Sequence, residues 1–318
     1  MGTILVRMVS IGQSVAHVPQ RGCAVPARPW HVDGEQGVAL AGERHVAPAA
    51  AQALLLAHGF GQTRQAWGRT AARLGAAGFD STAFDARGHG QSGRNPAGVA
   101  YCVEQFIADQ ACVAQSLPAH PVLIGASMGG LIGLLGQAQR PLYSAMVLVD
   151  IAPRWRPEGM ERILEFMAAH PDGFDDYAHA ADAIAARLPH RPRKTQEQLA
   201  SLLVPCRQGR LHWHWDPRLL DDIARNGDRL QDALLEAAAQ VDIPLLLISG
   251  GQSELIDNDH IAEFLHLAPH AEHIQLANAT HMLAGDDNDR FTDTVLYFLS
   301  RLPASESRLP PSSTGDSP

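Results

Sequence analysis

The sequence predicts an α/β fold, a doubly wound and mostly parallel sheet with an inserted helical cap. Three observations lead there. Short apolar runs recur at Ala53–Ala57, Pro121–Ile124, Ala145–Val149 and Pro244–Ile248. Runs of that length suit strands buried on both faces, which a parallel sheet covered by helices provides. Each run ends in a turn carrying Gly or Asp (His58-Gly59, Gly125, Asp150, Gly250-Gly251), where the C-terminal ends of such strands collect chemistry. Between the third and fourth runs lies a long stretch of helical texture.

The elements follow in order. Residues 1–30, with Pro19, Pro26 and Pro29, read as a poorly ordered N-terminal extension. A core is expected over 31–151 and 242–302. The cap is expected over 152–241, where Pro157–His170, Asp175–Leu188 and Asp228–Gln240 read as successive amphipathic helices. The Pro/Ser-rich tail 303–318 cannot bury enough surface to order itself.

Composition narrows the function classes. A chain of 318 residues, 46% apolar, is long enough for one large core with an insertion. Its net charge of −9 offers no basic field for a nucleic-acid backbone or an anionic membrane, and no apolar run is long enough to span a bilayer. The expected partner is a small-molecule substrate, with oligomeric state left open. Cys23, Cys102, Cys112 and Cys206 lie far apart without CxxC spacing, which speaks against a zinc site or a disulfide framework and for reduced thiols in a cytoplasmic protein. The N-terminal MGTILVRMVSIGQ is too weak for a secretory signal.

The sharpest chemical signal is Gly125-Ala126-Ser127-Met128-Gly129, set between an apolar run and an apolar helical stretch, Leu131–Leu134. A nucleophile elbow needs that context: a strand, a bend that strains the serine backbone, then a helix. Such an elbow aims the Ser127 hydroxyl into a cleft and leaves the Met128 N–H at a helix N-terminus, ready for an oxyanion. His58-Gly59-Phe60-Gly61, after the first run, can turn a backbone N–H toward the same cleft, and Phe60 is the candidate second donor. Asp85-Ala86-Arg87-Gly88-His89-Gly90-Gln91-Ser92 reads as a tight, internally bonded turn, with Asp85, Arg87 and His89 as scaffold. His58 reads as a packed loop residue. Serine needs a base, and His281 in Ala279-Thr280-His281-Met282, late in the chain, is the candidate.

These four motifs, HGFG, DARGHGQS, GASMGG and ATHM, resemble in order and spacing the α/β-hydrolase superfamily, over roughly residues 35–151 and 242–302. The resemblance implies Ser127 as nucleophile, His281 as base, Phe60 and Met128 as oxyanion donors, and no cofactor or metal. The triad acid stays open. The majority pattern places it in the loop Ser249–Asp257, where Glu254 sits one position late and Asp257 lies further out. A subgroup of small cytosolic esterases takes it from the preceding strand end, which Val149-Asp150-Ile151-Ala152-Pro153 resembles, and the later loop of that subgroup resembles Gly250-Gly251-Gln252-Ser253. Asp150 is the narrow preference and Glu254 the alternative. The implied activity is cleavage of a small, largely apolar carboxylic ester or lactone through an acyl-enzyme. Carbon–carbon bond hydrolysis, thioester hydrolysis and cofactor-free perhydrolysis share the triad, and a non-catalytic ligand-binding member is the rival from another class.

One further stretch stands out. His212-Trp213-His214-Trp215-Asp216 has two alternating histidines without a third ligand nearby, so it reads as aromatic packing in the cap, with Trp213 or Trp215 able to face substrate.

Overall fold

The computed structural model describes residues 26–47, 50, 52–118, 120–187, 193–206, 209–277, 279 and 289–303, with the backbone alone for 222–228. The expected tail from 304 onward and the extension up to residue 25 lie outside the described residues.

The chain opens with strands β1 (Arg28–Asp33), β2 (Ala39–His45) and β3 (Ala53–Ala57). Helix α1 (Gly68–Ala76), strand β4 (Asp80–Phe84) and helix α2 (Val103–Gln115) follow. Next come β5 (Val122–Ala126), α3 (Met128–Gln139) and β6 (Ala145–Val149). The inserted segment holds α4 (Pro157–Ala168), α5 (Tyr177–Arg187), α6 (Gln196–Ala200), β7 (Leu203–Pro205), β8 (Leu211–Trp213) and α7 (Arg218–Gln240). The chain then returns through β9 (Leu245–Gly250), α8 (Asn258–Leu267), β10 (Glu272–Leu276) and α9 (Asp289–Ser300).

The eight-stranded sheet has the order β1-β2-β4-β3-β5-β6-β9-β10. The six strands from β4 to β10 run parallel, and β1 and β2 add an antiparallel edge. Alternation along each strand explains the apolar runs. Leu54, Leu56, Val122, Ile124, Val147 and Val149 face one layer, packed with Trp67, Leu74, Phe291 and Phe298 from the α1 and α9 side. Leu55, Leu123, Met146, Leu148, Leu245 and Leu247 face the other, with residues of α2, α3, α7 and α8. A strand covered on both faces has no polar side to show, so its sequence loses the two-residue period.

Four strands escape that criterion. Strand β4 reads Asp-Ser-Thr-Ala-Phe and buries Ser81 and Thr82 at 1% and 2% exposure. Strands β1 and β10 lie at the sheet edges and keep polar side chains in solvent, and β2 alternates. The first strand begins at Arg28, inside the stretch read as an extension. The inserted segment also departs from an all-helical block. Its middle is a two-stranded antiparallel pair, β7 with β8, over a small core of its own formed by Phe174, Ala180, Ala181, Ile184, Leu199, Leu203 and Leu211. Helix α7 starts ten residues before the expected Asp228, at Arg218. Among the described residues no helix is long and apolar enough to cross a membrane.

The strand order reverses between β3 and β5: the chain moves outward from β3 to β4, then crosses back to β5 on the other side. A crevice opens at such a switch point, outside the C-terminal strand ends. The loop that bounds it beyond β4 is held by a buried ion pair. Arg87 donates from Nε and Nη2 to the Asp109 carboxylate at 2.8 and 2.7 Å, and also bonds Asn95 Oδ1 and the Glu35 carbonyl. Both members are at most 2% exposed. Removing one strands the other without water, so Arg87→Met should cost about 3–5 kcal/mol. A thermal melt should show Tm lower by roughly 5–15 °C, with much of the loss recovered in Arg87→Met/Asp109→Leu. A shift under about 2 °C would mean the pair holds nothing together.

Candidate active site

Ser127 stands between β5 and α3 with φ 45° and ψ −117°, a conformation that costs a non-glycine residue about 1–3 kcal/mol. Three backbone bonds hold it there. Its amide donates to the Val149 carbonyl at 3.1 Å, and its own carbonyl accepts from the Gly130 and Leu131 amides at 3.0 Å. The flanking glycines are demanded by contact. A Cβ on Gly125 would come within 2.6 Å of the Gly130 backbone, and one on Gly129 within 2.5 Å of the Ala57 carbonyl oxygen. The helix can therefore start tight against two strands, with the half-buried Ser127 at the bend. Met128 is the first residue of α3, so its N–H has no acceptor inside the helix and sits at the positive end of the helix dipole.

The loop after β3 closes on this bend: a Cβ built on Gly59 would lie 3.3 Å from the Ser127 Cβ. Among the described residues no acceptor takes the Phe60 N–H. The peptide carrying it is fastened from behind. Its carbonyl, Gly59 O, accepts from His58 Nδ1 at 2.8 Å and from the Gln62 amide at 3.1 Å. In a trans peptide the C=O and N–H point oppositely, so anchoring one aims the other. The Ala86 amide donates to His58 Nε2 at 2.9 Å, which makes Nδ1 the protonated nitrogen. Burial pushes the His58 pKa down and keeps the ring neutral. The Gly61 amide donates to His89 Nε2 at 3.2 Å, and His89 Nδ1 in turn donates to the Arg87 carbonyl at 3.0 Å. Burial first, then His58 and His214, hold the His89 pKa well below the ordinary value. The scaffold reading of the DARGHGQS turn takes concrete form at Asp85. Its carboxylate accepts from Arg64 Nη1 and from the Arg64 and Gln91 amides, the last two at 2.7 and 2.9 Å.

Asp150 follows β6 as Ser127 follows β5, and Ala126 pairs with Val149 in the register. The two residues therefore leave adjacent strand ends side by side. Asp150 is fully buried, with φ 51°. The Gly250 amide donates to its Oδ1 at 2.7 Å, and Ser253 Oγ donates to its Oδ2 at 2.6 Å. Ser253 is turned that way because its oxygen accepts from the Leu255 and Ile256 amides, both at 3.2 Å. Ser253 is the site residue that the motif reading left without a role. The signal was the Gly250-Gly251-Gln252-Ser253 string, whose meaning depends on its reaching back to a different strand.

The other carboxylates of that loop are otherwise engaged. Glu254 is exposed and lies 3.3 Å from Arg162 on α4. Asp257 is the N-cap of α8, accepting from the Asp259 and His260 amides at 3.1 and 3.3 Å. His260 Nδ1, 2.6 Å away, is the first cause of its lowered pKa. His281 lies outside the described residues. Ala279, two positions earlier in sequence, is buried, and its carbonyl accepts from the Gln252 amide at 3.0 Å. That carbonyl thus sits beside the loop that holds Asp150.

Two apolar residues of the inserted segment, Met167 and Trp215, reach the loop after β3 and belong to the same apolar cluster as Phe60 and Met128. The Trp215 ring centre is 5.8 Å from that of Phe60, and a Cβ on Gly61 would meet the Met167 methyl at 2.5 Å. The reading of the His212–Asp216 stretch as packing fits Trp213, whose ring sits edge-on to Phe166 and Phe174. His214 does more, as taken up below.

Comparison with known proteins supplies the family. A sequence profile described as serine aminopeptidase, S33, matches residues 48–288. The chain is 27% identical over 249 residues to a 3-hydroxybutyrate-oligomer hydrolase of Cupriavidus necator, covering 74% of this chain and 84% of the relative. It is 29% identical over 231 residues to the sn-1-specific diacylglycerol lipase ABHD11 of Mus musculus, covering 68% and 70%. The crystal structure of E-2-(acetamidomethylene)succinate hydrolase superposes with a TM-score of 0.74 at 22% identity, over 86% of this chain and 100% of that one, a likeness of fold. The chain belongs to the serine aminopeptidase, S33, family and is a hydrolase of the α/β-hydrolase superfamily.

Proposed function

We propose that this hydrolase cleaves a small, largely apolar carboxylic ester or lactone through an acyl-enzyme. The Ser127 hydroxyl attacks the carbonyl carbon while His281 takes its proton. The Phe60 and Met128 N–H groups hold the oxyanion of the tetrahedral intermediate. As the intermediate collapses, His281 returns the proton to the leaving alkoxide. Water, deprotonated by the same imidazole, then adds to the acyl-enzyme and releases the acid and free Ser127. Asp150 accepts from the imidazole, orients it and stabilises its cation.

The observation that carries this reading is the positive φ of Ser127 at a strand-to-helix bend, with the Gly59-Phe60 peptide brought against its Cβ. A strained backbone at that bend, with the Phe60 amide taking no acceptor among the described residues, supports a hydroxyl working with backbone donors. The apolar residues of the inserted segment support an apolar acyl or alcohol group. The relatives named for 3-hydroxybutyrate oligomers and diacylglycerol point the same way.

A panel of p-nitrophenyl acyl esters of rising chain length tests the proposal. The expected record is a p-nitrophenol burst approaching one equivalent per chain where deacylation is slow, with a chain-length optimum set by the crevice. A small organophosphonate should label Ser127, read by peptide mass. No release from any ester, together with no label on Ser127, would dispose of the reading.

A further inference from the structure

Resting on the esterase reading above, we infer that His214, carried by the inserted segment, is a positioning residue for the oxyanion loop. The cover over the sheet then completes the catalytic machinery as well as shaping selectivity.

His214 follows β8 and is 2% exposed. The Gly90 amide donates to its Nδ1 at 2.8 Å, so Nδ1 is bare and the ring proton sits on Nε2. Nε2 lies 3.2 Å from the Gly61 carbonyl and donates to it. Three successive peptides of the loop are thus each fastened by a different histidine. His58 holds the carbonyl of the Gly59–Phe60 peptide, His89 the amide of Phe60–Gly61, and His214 the carbonyl of Gly61–Gln62. The first two histidines come from the sheet's own loops. The third arrives from the inserted segment, 153 residues beyond Gly61 in sequence. The ring centres of His58 and His89 are 5.2 Å apart, and those of His89 and His214 are 6.0 Å apart.

The segment around His214 is anchored well enough to transmit a position. Arg94 Nη2 donates to the His214 carbonyl at 3.0 Å, and the Asp216 amide donates to the Gly88 carbonyl at 2.8 Å. Tyr101 OH donates to Asp216 Oδ2 at 2.9 Å, and Arg218 Nη2 bonds both that oxygen and the Asn95 carbonyl at 2.7 Å. Gly61 has φ 73°, so its peptide occupies a backbone conformation that few contacts choose on their own. A donor aimed at an oxyanion loses its effect when it is displaced by a fraction of an ångström to an ångström. The ring is also kept neutral. Burial lowers its pKa to about 4, with Gly61 and Asp85 opposing and His58 and Arg94 adding to the fall.

Three variants and one wild-type measurement test this. His214→Asn keeps an acceptor for Gly90 but cannot reach Gly61. It should lower kcat for a short p-nitrophenyl ester by about 10–100-fold. KM should stay within about threefold, and the affinity for a trifluoromethyl ketone, whose adduct carries the oxyanion, should fall in parallel with kcat. His214→Gln can carry an amide N–H toward Gly61 and should recover most of kcat, while His214→Leu should resemble Asn or be worse. In the wild type, 15N-histidine NMR at pH 7 should show His214 as the neutral Nε2–H tautomer with a slowly exchanging proton. Unchanged kcat and ketone affinity in His214→Asn, or a cationic or Nδ1–H ring in the wild type, would overturn the assignment. Should the wild type neither release p-nitrophenol nor bind the ketone, the esterase reading itself falls and takes this one with it.

Discussion

Ser127→Ala should remove ester turnover, with kcat/KM falling by at least about 10⁴-fold for every member of a p-nitrophenyl panel. The size follows from chemistry rather than from structure loss. Alanine keeps the Cβ, so the bend at φ 45° is no more strained than with serine, and the three backbone bonds that hold it do not involve the hydroxyl. The variant should therefore melt within a few degrees of the wild type, with the Phe60 and Met128 amides still in place. It should still bind a slow substrate or product while releasing nothing. Residual catalysis about 10³–10⁴-fold above the rate in water would fit amides that act without a nucleophile. Equal release from both proteins would remove Ser127 from the chemistry and leave its strained backbone without a function.

The second large effect concerns the acid. Asp150→Asn should lower kcat by about 10³–10⁴-fold, the scale seen when a triad acid loses its charge and the imidazole its correct tautomer. Glu254→Gln should change it by less than about twofold, because an exposed carboxylate opposite Arg162 contributes little even to stability. The contrast in surroundings is large. Asp150 is fully buried, sits at the end of the strand beside the one that leads to Ser127, and has its oxygens bonded by the Gly250 amide and the Ser253 hydroxyl. An amide in its place still accepts at one atom but offers N–H where an imidazole N–H would need an acceptor. Comparing melts keeps the result interpretable: a folded Asp150→Asn with wild-type activity would pass the role to another carboxylate, and the reverse ranking of the two variants would make that carboxylate Glu254.

The resolved parts of the site were unevenly visible along the chain. Gly125–Gly129 announces itself because an elbow needs small residues at fixed offsets, and those offsets are local. Phe60 could be proposed from His58-Gly59-Phe60-Gly61 for the same reason, since the loop begins where an apolar run stops. The choice between Asp150 and Glu254 could not be read locally. Counting from Gly250 favours neither; what separates them is that Asp150 is wrapped by Gly250 and Ser253, 100 and 103 residues later, whereas Glu254 turns outward to α4. His214 was similarly hidden. In sequence it is one of two histidines alternating with two tryptophans, and its partners Gly61 and Gly90 lie on two other loops.

From its residues alone the chain declares a sheet buried on both faces, because continuous apolar runs survive only where neither side meets water, and it declares a serine at a cramped bend. It says much less of β1, β4 and β10, whose polar residues are tolerated at edges or through buried hydroxyls, and little of the β7–β8 pair, whose core is too small to mark the sequence. Which carboxylate is buried beside the strand end that carries Ser127, and which histidines fasten the Gly59–Gln62 loop, was decided only by folding. Backbone periodicity is a property of neighbours along the chain, whereas a hydrogen bond across loops depends on where the strand order reverses and what the insertion brings down upon it.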